Sequence, residues 1–251
     1  MSSERLLHEN ASPWWAEHVH RYREVLSVLT GTERVLDLAC GTGYGTAVLA
    51  ERAAEVIGGD VDAEAIAMID PLLKAKPRVF FQVMDGTKLP FSNASFDVVV
   101  SFETIEHTRA FEAMLDEFSR VLRPNGLFFV STPNKLVQSP DGIIHNPYHT
   151  QEFTPDEFKV LLNKRFTSVQ LYGQEYIRYK NRSGLRWKAG AALEKLLYCR
   201  GIRKIPLAIQ NACMCSIIGK GQYPEVEDYS MNDDPQVLHE SCITQFAICR
   251  P

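Results

Sequence analysis

The 251-residue sequence lacks any uninterrupted apolar run of roughly 18 residues, the length that crosses a bilayer as a helix. Its first ten residues are polar and charged, without the apolar stretch of an export signal. The expectation is a cytoplasmic chain with no membrane span. The six cysteines (Cys40, Cys199, Cys213, Cys215, Cys242, Cys249) show no CxxC spacing and too little density for a disulfide scaffold. They are expected to be reduced, buried, small apolar side chains rather than zinc ligands. An excess of cations is missing as well: the net charge of -4 argues against a general nucleic-acid binder and leaves room only for a local basic patch. There is no internal repeat.

What is present is a hydrophobic fraction of 45%, enough for one large core, so a single α/β domain over 1–251 is expected. Apolar residues at helical spacing in 14–29 predict a leading helix (13–30 at its widest) that stops at Gly31. An alternation follows: strands over 34–38, 55–59, 79–83, 96–101 and 127–131, and helices over 45–52, 63–74 and 110–122, with Pro124, Asn125 and Gly126 as a turn. Strands separated by helical segments imply right-handed crossovers and a parallel sheet. Past Pro133 comes a long loop, then a helix opened by Thr154 as cap, Pro155 in its first turn and Glu157 three residues on. Further strands are predicted over 166–172 and 242–249, with an irregular stretch over 177–239 between them.

Residues 37–45, DLACGTGYG, join a strand to a helix through glycines at alternate positions, which lets backbone N–H groups approach a ligand. A dinucleotide loop is the competing reading, but Asp37 ahead of the glycines would repel a pyrophosphate and suits an ammonium group instead. Asp60, at the end of the second strand in GGDVD, is placed for ribose hydroxyls. Asp85 ends the third strand, where it can accept from an adenine amino group while Met84 packs on the ring.

At this point the sequence resembles the class I S-adenosylmethionine (SAM)-dependent methyltransferases, through DLACGTGYG, GGDVD, VMDGTKLPF and FDVVVSFETIEH, over roughly 21–158. The resemblance implies a Rossmann-like fold: a mostly parallel seven-stranded sheet, helices on both faces and a reversed final strand. It implies SAM as cofactor, contacted by Asp37, Ala39, Gly41, Gly43, Asp60, Val61, Met84, Asp85, Gly86, Ser101 and Phe102. The leader EHVHRYR looks like the helix that caps the cofactor in related enzymes, where Arg21 or Tyr22 either holds the SAM carboxylate or serves as surface cation and core aromatic.

Glu103, Glu106 and His107 stand at i, i+3 and i+4, so one helical turn would gather two carboxylates and an imidazole as ligands for a divalent metal such as Mg or Mn. The pairing of this ExxEH turn with a later histidine, His149 or else His145, resembles the ubiquinone-pathway O-methyltransferases and the small-RNA 3′-end 2′-O-methyltransferases, in which a metal binds acceptor hydroxyls. His107 or His149 acting directly as general base is the alternative, and a cleft-lining role without metal is the third reading.

The leader, STPN after the fifth strand and NPYHTQEFTPDEF look like bacterial methyltransferases of surface-polysaccharide and natural-product sugar pathways. The implied activity is O-methylation of a small-molecule hydroxyl, a sugar first. An RNA end, an amino-sugar nitrogen and a noncatalytic SAM-binding regulator remain as alternatives. Between 178 and 204 nine cations face one acid, Glu194, so 177–238 reads as a basic, lid-like insertion, either over an anionic or lipid-linked acceptor or as a solvated face. Oligomeric state is not legible.

Overall fold

The computed structural model describes residues 14–198 and 206–251. The elements run α1 (Trp15–Val28), β1 (Arg34–Leu38), α2 (Tyr44–Leu49), β2 (Glu55–Asp60), α3 (Ala63–Met68), α4 (Pro71–Lys74), β3 (Val79–Val83) and β4 (Phe96–Phe102). After a 3-10 turn at Ile105–His107 come α5 (Phe111–Val121), β5 (Leu122–Pro133), α6 (Lys135–Gln138), α7 (Pro155–Asn163) and β6 (Ser168–Tyr176). The chain continues through α8 (Leu185–Tyr198), α9 (Leu207–Ile218), a 3-10 turn at Val226–Asp228, β7 (Tyr229–Asn232), α10 (Pro235–Glu240) and β8 (Thr244–Arg250).

The strands form one sheet in the order β3-β2-β1-β4-β5-β8-β6-β7. β1 to β5 pair in parallel, while β8 lies antiparallel between β5 and β6. This is the Rossmann-like methyltransferase fold with its reversed final strand. The sheet has eight strands rather than seven, because β7 pairs antiparallel with β6 at the edge. β7 is four residues long and half-buried throughout, so it carries none of the alternation by which a strand is read from sequence.

Period-two alternation sorts the core. Leu36, Leu38, Val99, Phe128 and Val130 face Phe118 of α5 and Phe158 of α7. Val35, Val98, Val100 and Phe129 face Tyr22 and Val25 of α1 and Leu49 of α2. Each fully buried side chain of this size contributes about 1.5–3 kcal/mol on leaving water. Asp37 shares the face of Val35, which sends its carboxylate under α1. That helix ends at Val28, ahead of Gly31, and Arg52 reaches the carbonyls of Leu26 and Leu29 at its end (3.3 and 3.2 Å).

Three local expectations are revised. The helix expected over 63–74 breaks in two, because Asp70 caps a new start at Leu72 N (2.8 Å) and Pro71 cannot continue the preceding turn. Pro124, Asn125 and Gly126 lie inside β5 as an irregularity, where the pairing with β4 shifts register between Phe96 and Val98. Cys213 and Cys215 are exposed on α9, whereas Cys40, Cys242 and Cys249 are buried and Cys199 lies outside the described residues. The predicted cap of α7 is present, with Glu157 N donating to Thr154 Oγ1 (3.3 Å) and Thr154 N to Glu157 Oε2 (2.8 Å). No helix among the described residues is long and apolar enough to cross a membrane.

Candidate active site

The turn after β1 is left-handed at Ala39, Gly41 and Gly43. Its glycines serve different ends. A Cβ on Gly41 would meet nothing within 4 Å, so the space beside it is open to a ligand, and its N–H donates to Asp60 Oδ2 (2.9 Å). A Cβ on Gly45 would fall 2.0 Å from the Tyr22 ring, so that glycine lets α1 and α2 touch. Gly86 likewise serves packing, against Leu38 and Met114. Asp60 also accepts from Asp62 N (2.9 Å), fixing both carboxylate oxygens at the end of β2. Val61 beside it is exposed, and Met84 is buried against Gly59. Asp85 accepts from Thr87 N and Oγ1 (2.8 Å each), and these bonds hold its carboxyl below the usual range.

Asp37 is fully buried. Tyr22 donates to its Oδ1 (3.0 Å) and Thr46 to its Oδ2 (2.6 Å), while burial pushes its carboxyl up to about 7. Tyr22 is thereby engaged by Asp37, with its ring edge-on to Phe102 at 4.9 Å. Arg21 is also fully buried. Its Nη1 donates to Gln174 Oε1 (2.7 Å) and Glu17 Oε1 (3.2 Å), leaving Nε and Nη2 without a partner among the described residues. Ser101 Oγ, at the end of β4, is buried and unpartnered in the same way.

Beyond β4 the structure brings three of the four expected ligands together. One side-chain atom each of Glu106, His107 and His149 lies within 4.8 Å of the others. Glu103 is not among them. The 3-10 turn begins only at Ile105, and Glu103 precedes it with a left-handed φ of 49° and its Oε1 on Ser131 Oγ (2.7 Å). His145 is not among them either, paired with Asp141 on an exposed loop (2.9 Å).

Glu106 is fully buried, and its Oε2 accepts from Thr132 Oγ1 (2.9 Å) while Oε1 has no hydrogen-bond partner among the described residues. Burial, reinforced by the nearby charge of Glu103, pushes its carboxyl well above the usual range. Its main-chain oxygen accepts from Thr150 N (2.7 Å), which draws the loop carrying His149 onto the turn. Both imidazoles are fixed by acceptors. His107 Nδ1 lies 3.1 Å from Tyr148 O, and a carbonyl only accepts, so Nδ1 carries a hydrogen while Nε2 faces Glu106 Oε1 at 3.7 Å. His149 Nδ1 faces Glu152 Oε1 at 2.8 Å, and its Nε2 accepts from Asn146 Nδ2 at 2.9 Å. The two rings stand 5.0 Å apart and nearly perpendicular.

Glu152 was not singled out in the sequence. It is buried, with its second oxygen accepting from Ser139 Oγ (2.6 Å), and among the described residues no Lys or Arg pairs with it. Its three-residue spacing from His149 is the signal that was available; nothing in the sequence distinguished it from a surface acid.

Residues 36–130, from β1 into β5, match a family described as methyltransferase domain. Over that segment the chain is similar to the SAM-dependent methyltransferases. A Mycolicibacterium smegmatis protein named "Probable S-adenosylmethionine-dependent methyltransferase" is 38% identical over 151 residues, 59% of this chain and 57% of the relative. A ubiquinone biosynthesis O-methyltransferase of Rhizobium etli is 30% identical over 107 residues, 42% of this chain and 43% of the relative. The matches thus span little more than half the length of these curated relatives, or less. The structure of a SAM-dependent methyltransferase from Archaeoglobus fulgidus superposes with a TM-score of 0.58 over 94% of both chains at 18% identity, a likeness of fold. The matched methyltransferase segment holds Asp37, Asp60, Asp85, Glu106 and His107; His149 and Glu152 lie beyond it.

Proposed function

We propose that the protein is a SAM-dependent O-methyltransferase that acts on the hydroxyl of a small molecule, a sugar first, with a divalent metal held by Glu106, His107 and His149. The observation that carries this reading is the convergence of one unpartnered buried carboxylate oxygen with two imidazoles whose Nδ1 atoms are already engaged. Carboxylate and imidazole donors together suit Mg, Mn or another first-row ion, and each Nδ1 partner fixes a ligand by the outer-shell arrangement common in metal sites. Asn146 must release His149 Nε2 for that atom to bind. A bound cation would lower the pKa of the acceptor hydroxyl and fix its orientation.

SAM supplies an already activated methyl group, so positioning furnishes most of the rate. The open space at Gly41 and the two fixed carboxylates of Asp60 and Asp85 fit a nucleoside, with Val61 and Met84 offering apolar surface to its base. The unpartnered guanidinium nitrogens of Arg21 fit the carboxylate of the amino-acid end, and Asp37, with a lone pair left on each oxygen, fits its ammonium. Ala39, Gly43, Ser101 and Phe102 complete the wall between turn and β4. Gly86 supports it from behind.

A second reading rests on Glu152. A carboxylate behind His149 Nδ1 raises the basicity of Nε2, so His149 can take the acceptor proton itself, without metal. Calorimetric titration of Mn²⁺ and Mg²⁺ into metal-stripped protein saturated with S-adenosylhomocysteine separates the two. One ion bound near micromolar affinity, lost in Glu106→Ala and His149→Ala, supports the metal; no ion bound leaves the His149 base. Turnover on sugars against RNA ends and amino sugars then assigns the acceptor, and no turnover on any would return the chain to a SAM-binding regulator.

In this reading α1 caps the donor, and the 177–238 segment covers the acceptor. Among the described residues four of its cations are engaged: Arg178 is buried against Asp228 and Glu194, Lys180 pairs with Glu175, and Arg182 and Arg186 lie over Trp187. Arg200, Arg203 and Lys204 lie outside the described residues. This favours an uncharged hydroxyl compound over a strongly anionic acceptor.

A further inference from the structure

A cavity of about 340 Å³ lies away from the His107–His149 pair, lined by Trp15 and Ala16 of α1, Asn211 of α9 and the loop from Gly221 to Val226. That volume stands at the small end of small-molecule pockets. Its loop wall is fixed from behind by one buried side chain. The Arg178 guanidinium donates to the carbonyls of Gly221, Gln222 and Tyr223 (3.1, 3.3 and 2.7 Å) and is itself held by Asp228 (2.8 Å) and Glu194 (3.0 Å). Buried ion pairs of this kind add little net stability, because desolvation offsets the attraction; what they can provide is a single arrangement of the chain around them. Here that arrangement presents Tyr223, Pro224 and Glu225 to the cavity.

The opposite wall leads to the donor site. Trp15 packs on Tyr44 with ring centroids 5.2 Å apart, and Tyr44 directly follows Gly43 in the glycine turn. His18 Nδ1 lies 3.1 Å from Tyr44 OH, tying the same helix to the same ring.

We infer that this cavity is a subsite for a neutral sugar ring, an outlying unit of the acceptor; this rests on the carbohydrate reading above and extends it. The indole of Trp15, the ring of Tyr223, Pro224 and Val226 offer apolar surface to the C–H face of a pyranose. Asn211 commits its Oδ1 to Gln222 N (2.8 Å), so its Nδ2 is the donor left for a hydroxyl, and Glu225 supplies an acceptor at the rim. A phosphate does not suit this chemistry. Among the described residues the nearby cations are engaged, Arg178 as above and Lys220 by Glu225 (2.9 Å) and Asp228 (2.6 Å), while Glu225 would repel an anion. An aromatic pair can also stack a nucleobase, but an RNA strand would bring its phosphates past the same carboxylate.

The test reads binding alone. Maltotriose, mannotriose and cellotriose are titrated into the full chain saturated with S-adenosylhomocysteine, followed by saturation-transfer NMR and by tryptophan fluorescence. Wild type, Tyr223→Ala and Trp15→Ala are compared, each checked for fold by its thermal transition and for S-adenosylhomocysteine affinity. At least one trisaccharide is expected to bind, about tenfold or more weakly in both variants, with Tyr223→Ala keeping its S-adenosylhomocysteine affinity. Absence of binding by all three, or binding that both variants retain, overturns the subsite. So does preferential binding of a short single-stranded RNA in the same cavity, read as competition lost in Tyr223→Ala. Sugar binding without methyl transfer would remove the proposed activity and leave the subsite standing.

Discussion

Tyr22 of α1 donates its phenolic hydrogen to Asp37 of β1 across 3.0 Å, joining the leading helix to the first strand at a buried carboxylate. The bond adds a polar tie to the apolar packing of α1 over the glycine turn, through a carboxyl that the sheet buries.

Tyr22→Phe removes that donor and leaves Thr46 as the remaining side-chain partner of Asp37. A buried acceptor left short of a partner costs about 1–3 kcal/mol, to be read as a lower midpoint in urea denaturation at neutral pH. An unchanged midpoint would show that α1 is held by its apolar contacts alone.

The Asp37 carboxyl stands at about 7 in the folded chain because burial disfavours its charge, well above its ordinary value near 3.8. The sign follows from linkage: its contribution to stability is fully present below the unfolded value and is lost as pH rises through the folded one. Stability should therefore fall between about pH 4 and 7.5 through this group, and Asp37→Asn should flatten that slope. Under the proposed role the ligand works the other way. An ammonium group favours the ionised form, so S-adenosylhomocysteine should bind more tightly as pH rises through 7, and Asp37→Asn should abolish the dependence.

Gly41 and Gly45, in the same turn, should separate binding from fold. Gly45→Ala drives a methyl into the Tyr22 ring and is expected to destabilise by about 1–3 kcal/mol, as overpacking of a core does. Gly41→Ala meets no protein atom and carries only the strain of its left-handed backbone, about 1 kcal/mol, but it should weaken S-adenosylhomocysteine by tenfold or more. Equal loss of ligand affinity in both, at equal stability, would contradict the assignment of the open side.

Glu152 is the outer partner of His149, so Glu152→Gln should lower Mn²⁺ affinity by about 10- to 100-fold if the metal reading holds, while His145→Ala leaves it unchanged. Retained affinity in Glu152→Gln would make Glu152 a structural acid. Loss of affinity in His145→Ala would show that the loop rearranges to offer the other histidine.

Much of this is legible in the sequence. The strands from β1 to β5 follow from apolar runs, and the three acids at strand ends follow from their position ahead of or after glycines. The break between α3 and α4 was missed although Asp70 and Pro71 announce it, because the apolar spacing runs through it. The gathering of Glu106, His107 and His149 was anticipated by motif, but Glu103 was grouped with them on a helical spacing that the backbone does not adopt there. Thr132 reaches Glu106 from 26 positions away, which no local pattern encodes, and Asn146 and Glu152, each three residues from His149, acquire their roles only because Thr150 ties their loop to Glu106, 44 positions back.

Glu106 works at both ends of itself, its carboxylate turned to the histidines and its carbonyl receiving Thr150. The loop that carries His149 is therefore hung on the residue whose carboxyl it faces, with Gln151 on the carbonyls of Ile105 and Thr108 as further pegs. The turn after β4 and the loop after α6 thus move as one piece, so a change in either is felt at both histidines.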